Sequence, residues 1–295
     1  MFSRRHPYLF FILVFTSVVS VFILGTVSLV LLATRDDASG GGEKVGVVEI
    51  KNAITDAKDT LKALKGFRED PSVRAIVLRI DSPGGAVGPS QEIYGEVKKT
   101  RAAKKVVASF GGVAASGGYY SAAAADGIMA NPGSITGSIG VIMGMLNFQQ
   151  LLEKIGLVPV VIKSGEYKDV GSPVREMSDS ERRFLEAFAH KIHRQFIRDV
   201  AVGRKLDEGQ VEKIADGRIL TGEEAVDLGL VDRLGNLEDA VEWAGRMAGI
   251  EGPISTVYPP EDNLKLFKRL AESSLQTLLE SIFGSGVSAE ARYRS

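Results

Sequence analysis

The chain has 295 residues, which is enough for one large domain or two modest ones with a substantial core. Its 36 basic and 37 acidic residues leave a net charge of −1, so we expect no nucleic-acid partner. The absence of cysteine excludes disulfides, thiol catalysis and cysteine-ligated metal. Only three histidines are present, and we expect neither a metal ion nor a cofactor.

An uncharged run of 26 residues occupies Tyr8–Ala33. As a helix it would extend about 39 Å, enough to cross a bilayer with tilt. It exceeds the core of a cleaved signal peptide, which is the alternative, and no A-x-A cleavage site follows it. Arg4 and Arg5 precede the run, whereas Arg35 is followed by two aspartates. The positive-inside rule therefore predicts residues 1–34 as a single-pass anchor of the cytoplasmic membrane, with an extracytoplasmic (periplasmic) body.

After a flexible linker at residues 35–44, strand and helix patterns alternate through residues 45–250. Strands are predicted at Val45–Ile50, Val73–Ile80, Lys105–Phe110, Gly127–Ala130 and Val158–Lys163. Helices are predicted at Asp56–Phe67, Pro89–Thr100, Ala115–Ala125 and Asn147–Ile155. Because the strands are continuously apolar, this alternation predicts an α/β domain with a buried, mostly parallel sheet.

Two capping boxes mark further helix starts. Ser178-Asp-Ser-Glu181 predicts a long helix, and Thr221-Gly-Glu-Glu224 predicts a short one ending near Gly229. Residues 251–295 are predicted as an amphipathic segment, Asn263–Phe283, followed by a tail. This segment is interpreted as a packing or oligomer helix.

The stretch "GGVAASGGYYSAAAAD" at Gly111–Asp126 is dense in small residues. It predicts a strand, a sharp turn and a helix, with Ser116 at or near the helix start. Unpaired amide N–H groups and the helix dipole favour negative charge there, which suits a nucleophile. The alternative is an N-cap serine beside a tightly packed backbone.

A second informative stretch, "LRIDSPGGAVGPS", turns directly after a strand. Its Pro-Gly-Gly sequence exposes backbone N–H groups at the carboxyl end of that strand, where open α/β sheets bind ligands. A glycine amide there could form an oxyanion hole together with the amide of Gly117. The alternative is a plain strand-to-helix turn.

A serine nucleophile needs a base, and His190 and His193 lie off the apolar stripe of the long predicted helix. A Ser–His–Asp triad is therefore not expected. Lysine can serve as the base when burial favours its neutral form. The candidates are Lys104, Lys105, Lys163 and Lys168. Lys168 lies in the glycine-bracketed loop "SGEYKDVGSP", where we expect its ammonium to be partly enclosed, and this favours Lys168 modestly over Lys163.

Five motifs together resemble the signal peptide peptidase A family, in that family's order: "DSPGG", "GGVAASGGYY", "NPGSITGSIGVI", "SGEYKDVGSPVREMS" and "GRILTGEEAVDLGLVD". These are membrane-anchored serine proteases of the ClpP/crotonase superfamily. The resemblance runs from about Val45 to Ala248 and fits the short, single-domain form. It implies a repeated ββα spiral domain behind a transmembrane helix.

The resemblance also assigns roles to residues. It implies Ser116 as nucleophile, Lys168 as general base and Ser138 as the residue that orients the lysine amine. It implies an oxyanion hole at Gly85 and Gly117, although it does not distinguish the former from the glycine before it. It further implies a ring-shaped homo-oligomer in which neighbouring chains supply the serine and the lysine.

The expected function is degradation of signal peptides left in the membrane after preprotein processing. Two alternatives keep the same fold. One is a crotonase-like acyl-thioester enzyme, in which similar turns would stabilise an enolate. The other is a non-catalytic membrane scaffold whose small-residue turns only pack oligomer interfaces. Covalent labelling of Ser116 by a serine-reactive probe distinguishes the peptidase from both.

Overall fold

The computed structural model describes residues 7–36 and 43–260. A helix, α1, covers Pro7–Asp36. None of the helices in these two ranges combines the length and the apolar character needed to cross a membrane. The span predicted at Tyr8–Ala33 is therefore not confirmed. The predicted helix at Asn263–Phe283 lies outside the described residues.

The body alternates strands and helices, as the sequence pattern predicts. The strands are β1 Lys44–Lys51, β2 Val73–Ser82, β3 Lys105–Ala115, β4 Gly127–Ala130, β5 Ile135–Gly137, β6 Ile219–Leu220, β7 Arg233–Leu234 and β8 Ser255–Val257. The helices are α2 Lys58–Glu69, α3 Val87–Arg101, α4 Gly117–Ala122, α5 Gln149–Lys154, α6 Asp179–Arg204, α7 Glu208–Ile214, α8 Gly222–Asp227 and α9 Leu237–Met247. A short 3-10 helix covers Glu166–Asp169.

The eight strands form one sheet. Six of them follow the order β6-β5-β3-β2-β1-β8, while β4 pairs with β3 and β7 pairs with β4. The first half of β3 pairs with β4 and its second half pairs with β5. Every pairing is parallel except that of β5 with β6. The prediction of an α/β domain with a mostly parallel sheet is confirmed.

Both faces of the sheet are buried. Val48 and Leu78 belong to a large core cluster that includes residues of α2, α3, α4 and α6. Their neighbours Val47 and Val77 point the opposite way, into a smaller cluster with α9. Burial on two faces explains why these strands are continuously apolar instead of alternating.

The strand predicted at Val158–Lys163 is not formed. The segment is assigned to no strand, and Val158, Val160 and Ile162 are 84%, 83% and 96% exposed. Its β-branched residues suit a pleated, buried strand, but no described strand of this chain pairs with them. The prediction of a strand at Val158–Lys163 is therefore wrong for the single chain.

The end of β3 also differs from the prediction. The strand continues through the glycine pair to Ala115, so the sharp turn falls at Ser116. A Cβ on Gly111 would lie 3.0 Å from the Cγ atom of Asp81, so glycine there allows a close approach to β2. Both predicted capping boxes are present, at the starts of α6 and α8.

Candidate active site

The carboxyl ends of three parallel strands, β2, β3 and β5, bring the predicted site residues together. Ala115, the last residue of β3, pairs with Gly137, the last residue of β5. Ser116 and Ser138 are the next residues of each strand, so they leave the sheet side by side. The Ser116 N–H donates to the Gly137 carbonyl oxygen at 2.9 Å.

Both serines have left-handed backbone conformations. Ser116 has φ 52° and Ser138 has φ 50°. Such angles cost a non-glycine residue about 1–3 kcal/mol and are concentrated at functional sites. The turn at Ser116 separates β3 from α4, which begins at Gly117. A serine on a strained strand-to-helix turn is the geometry that presents a hydroxyl nucleophile at the end of a sheet.

The Pro-Gly-Gly turn after β2 distinguishes its two glycines. The Gly84 N–H donates to the Ser82 hydroxyl at 3.1 Å, and the Gly84 carbonyl accepts from Ile54 N–H at 2.9 Å. The Gly85 N–H has no hydrogen-bond partner among the residues that the structure describes. Gly85 is therefore the glycine of this pair whose amide is free to bind a ligand, a distinction that the sequence motif left open.

The free amide of Gly85 lies close to Gly117. A Cβ on Gly117 would be 3.1 Å from the Gly85 nitrogen and 2.4 Å from the Ser90 hydroxyl oxygen. A Cβ on Gly85 would be 2.3 Å from the Ile54 carbonyl oxygen. The Gly117 N–H is likewise without an acceptor within residues 43–260. Two free N–H groups beside a serine hydroxyl form an arrangement that can bind an oxyanion.

A cleft of about 360 Å³ is lined by all four predicted site residues of this region: Gly85, Ser116, Gly117 and Ser138. Sequence reasoning missed most of its other walls, which come from α3, α6 and two loops. These lining residues are Pro83, Val87, Ser90, Tyr120, Gly140, Val141, Ile142, Ile192, Phe196, Asp216 and Gly217. The sequence shows the apolar stripe of α6, but it does not show that this stripe faces the cleft of Ser116.

Tyr120 is a fixed wall of this cleft. Its hydroxyl donates to the Asp199 carboxylate and accepts from the Gln91 amide at 3.3 Å. Burial, together with the hydrogen bond to Asp199, raises the pKa of Tyr120. It therefore stays protonated at neutral pH and contributes shape instead of acid–base chemistry. His190 and His193 are not among the lining residues.

Lys168 lies in the 3-10 helix and does not line the cleft. The sequence analysis expected its ammonium to be partly enclosed, but in the single chain the residue is exposed. No hydrogen bond or ion pair of its side chain is found within the described part of the chain. One protomer therefore does not bring Lys168 to Ser116.

The other candidate lysines are engaged elsewhere. The Nζ atom of Lys163 pairs with Asp169 at 2.6 Å, and that of Lys105 lies 3.6 Å from Asp126. Lys104 donates to the Phe67 carbonyl at 2.6 Å and to a second carbonyl nearby.

Burial lowers the pKa of Lys104, but this lysine precedes β3, at the end of the strand opposite to Ser116. Among the four candidates, only Lys168 has a side chain without a partner in the described ranges.

Comparisons with known proteins identify the family of the chain. Peptidase family S49 matches residues 98–251, and the Clp protease family matches residues 46–135. The protein slr0021 of Synechocystis sp. is 46% identical over 244 residues, covering 81% of this chain and 88% of that protein. Protease 4 of Salmonella typhi is 37% identical, covering 71% of this chain and 35% of that protein. The chloroplastic serine protease SPPA of Arabidopsis thaliana is 32% identical, covering 72% and 33%.

The fold is accordingly a mixed α/β fold with a Clp-protease-like domain, and a serine lies at the end of its sheet beside two free amides. The family match spans more than half of the chain. The chain is a serine peptidase and belongs to peptidase family S49.

Proposed function

We propose that this peptidase cleaves peptides with a Ser/Lys dyad in which Ser116 is the nucleophile and Lys168 is the base. The observation that carries the proposal is the position of Ser116 between the adjacent Ser138 and the free amides of Gly85 and Gly117. Histidine is not among the described residues that line this cleft. A base with an unpaired amine therefore has to come from elsewhere.

In the proposed reaction, a neutral lysine amine accepts the Ser116 hydroxyl proton while the oxygen attacks the peptide carbonyl carbon. The Gly85 and Gly117 N–H groups donate to the carbonyl oxygen as it becomes negative. The lysine ammonium then protonates the leaving amine, and the C–N bond breaks to give an acyl-enzyme. The same amine next removes a proton from water, which hydrolyses the ester and restores Ser116.

We propose that the lysine comes from a neighbouring protomer in a ring-shaped homo-oligomer. Lys168 does not line the cleft of its own chain, and its exposed side chain has no partner in the described ranges. The apolar segment at residues 157–162 is exposed and unpaired in one chain. Contact between copies would bury this apolar surface, which is favourable by about 25 cal/mol per Å². The same contact would enclose the lysine and complete the site.

We propose membrane-retained signal peptides, left after preprotein processing, as the substrate class. The support is the apolar lining of the cleft, which includes Val87, Ile142, Ile192 and Phe196, and the relative named SPPA. An apolar cleft favours the apolar segments of which signal peptides consist.

Membrane attachment through Tyr8–Ala33, with the N-terminus inside, is part of this proposal and rests on the uncharged sequence. Protease added to intact spheroplasts should then digest residues 43–260. Protection of that body, while a cytoplasmic control protein is also protected, contradicts the orientation.

The decisive experiment combines labelling with cleavage. A fluorophosphonate probe should modify the full-length protein at Ser116, and Ser116→Ala should lower peptide turnover by more than about 10³-fold. Ser255→Ala, at an exposed serine of β8, is the matched control and should keep full activity. Absence of labelling in an active, folded protein contradicts the proposal. Labelling also separates the peptidase from a thioester enzyme or a scaffold of the same fold.

A further inference from the structure

The loop that carries Lys168 is attached to α6 on both sides of the lysine. The ring of Tyr167 stacks on Phe184 of α6, with ring centroids 4.9 Å apart. On the other side, the Asp169 carboxylate pairs with Arg175, Nε to Oδ2, at 2.8 Å. Both sequence neighbours of Lys168 are therefore held in place although the lysine side chain itself is exposed.

Arg175 forms the centre of this attachment. Its Nε atom bonds the Asp169 carboxylate, and Nη2 bonds the Asp169 carbonyl at 3.1 Å. Its Nη1 and Nη2 atoms form a two-pronged pair with Glu181, with Nη1 at 2.8 Å from Oε2. Nη1 also donates to the Glu176 carbonyl at 3.0 Å. All five guanidinium N–H groups have acceptors, and a lysine, with three donors on one atom, could not replace them.

Glu181 fixes this network to the start of α6. The residue is 3% exposed, and its carboxylate accepts from the Ser178 N–H at 2.9 Å as part of the capping box. Its charge is therefore compensated by Arg175 within a buried setting. Removing the guanidinium would leave the Glu181 carboxylate buried without its ion-pair partner. Loss of Arg175 would therefore also destabilise the start of α6.

We propose that Arg175 is a positioning residue for the reaction, because it holds the backbone of Lys168 at a fixed place relative to the first turn of α6. This inference rests on the proposed function, in which Lys168 is the base. The same helix contributes Ile192 and Phe196 to the cleft of its own chain. In each protomer, α6 therefore holds the loop of Lys168 and also lines the cleft that contains Ser116.

The test measures peptide cleavage by the full-length oligomer. Arg175→Gln should lower kcat by about 10–100-fold, because a displacement near 1 Å is enough to disrupt proton transfer. Its KM should change by less than about threefold, since Arg175 does not line the cleft. Arg175→Lys should lose as much, because it keeps the charge but not the five donors. The matched control is Arg246→Gln, which removes a half-exposed arginine paired with Glu242 at 3.6 Å on α9 and should be fully active.

A second measurement separates positioning from mere stabilisation. If Arg175 acts through Lys168, Arg175→Gln should not reduce further the residual activity of a Lys168→Ala enzyme. Unchanged kcat for Arg175→Gln, or a further loss of the residual activity in the Lys168→Ala background, overturns this inference. A strongly reduced but measurable activity of Lys168→Ala leaves the proposed function intact. Full activity of Lys168→Ala overturns the proposed function and this inference with it.

Discussion

The reactivity proposed for Ser116 depends on backbone geometry at single residues. Strand pairing places Ser116 beside Ser138, and left-handed angles turn both serines out of the sheet. In the turn opposite them, the Gly84 N–H is bonded to the Ser82 hydroxyl, whereas the Gly85 N–H has no acceptor among the described residues. Small residues are thus required where backbone has to approach both the serine and its substrate.

The fit around Gly117 gives a test at this scale. Gly117→Ala would place a Cβ 2.4 Å from the Ser90 hydroxyl oxygen, which is buried and bonded to the Ala86 carbonyl. We expect a stability loss of about 1–3 kcal/mol from overpacking and a large fall in kcat. Adding Ser90→Ala removes that oxygen and should restore part of both, as measured by thermal unfolding and peptide turnover. Equal defects in the single and double variants would contradict this explanation.

At the scale of elements, α6 organises the site more than any sequence pattern indicated. Its capping box fixes the lysine loop, its first turns hold Phe184 against Tyr167, and its later turns line the cleft with Ile192 and Phe196. The sequence predicted an apolar stripe along α6. Its first half is only partly covered in one chain, where Phe188 is 46% exposed. This exposure adds to the apolar surface proposed to meet a neighbouring protomer.

The attachment of the lysine loop should be sensitive to acid. The Arg175 guanidinium and the Ser178 N–H lower the pKa of Glu181 to about 2, from an ordinary value of 4.5. A carboxyl group whose pKa is lowered by folding stabilises the folded state at pH values above its ordinary pKa. That stabilisation is lost as the pH falls from about 4.5 towards 2. Between pH 6 and pH 3 the Tm of the wild type should therefore fall more steeply than that of Glu181→Gln. Glu242→Gln, on the exposed face of α9, should follow the wild type, and parallel curves for all three proteins would contradict the assignment.

At the scale of the whole molecule, the sequence predicted the elements built from local pattern. The apolar runs of β1, β2 and β4 and the two capping boxes were correct because burial and helix ends leave local signatures. The two- and three-residue strands β5 to β8 were missed, since they are too short to carry a period. The pairing of Ser138 N–H with the Arg218 carbonyl at 2.7 Å joins residues 80 apart, which no local pattern reports.

The site itself could be predicted only in part. The small residues around Ser116 and the Pro-Gly-Gly turn pointed to the nucleophile and the amides before any contact was known. The enclosure expected for Lys168 is absent from one chain, where the residue is exposed. A surface loop of this kind can be buried only by contact with another molecule. In the proposed function, that molecule is another copy of the chain.

Complementation between two inactive variants tests the central claim most directly. Ser116→Ala and Lys168→Ala, co-expressed with different tags and purified through both, form mixed oligomers. If the serine and the lysine of one site come from neighbouring chains, random mixing should restore about a quarter of wild-type peptidase activity, because one neighbour pair in four then combines an intact serine with an intact lysine. Each variant alone should be inactive. Mixed oligomers that assemble normally and remain as inactive as the single variants would contradict the account.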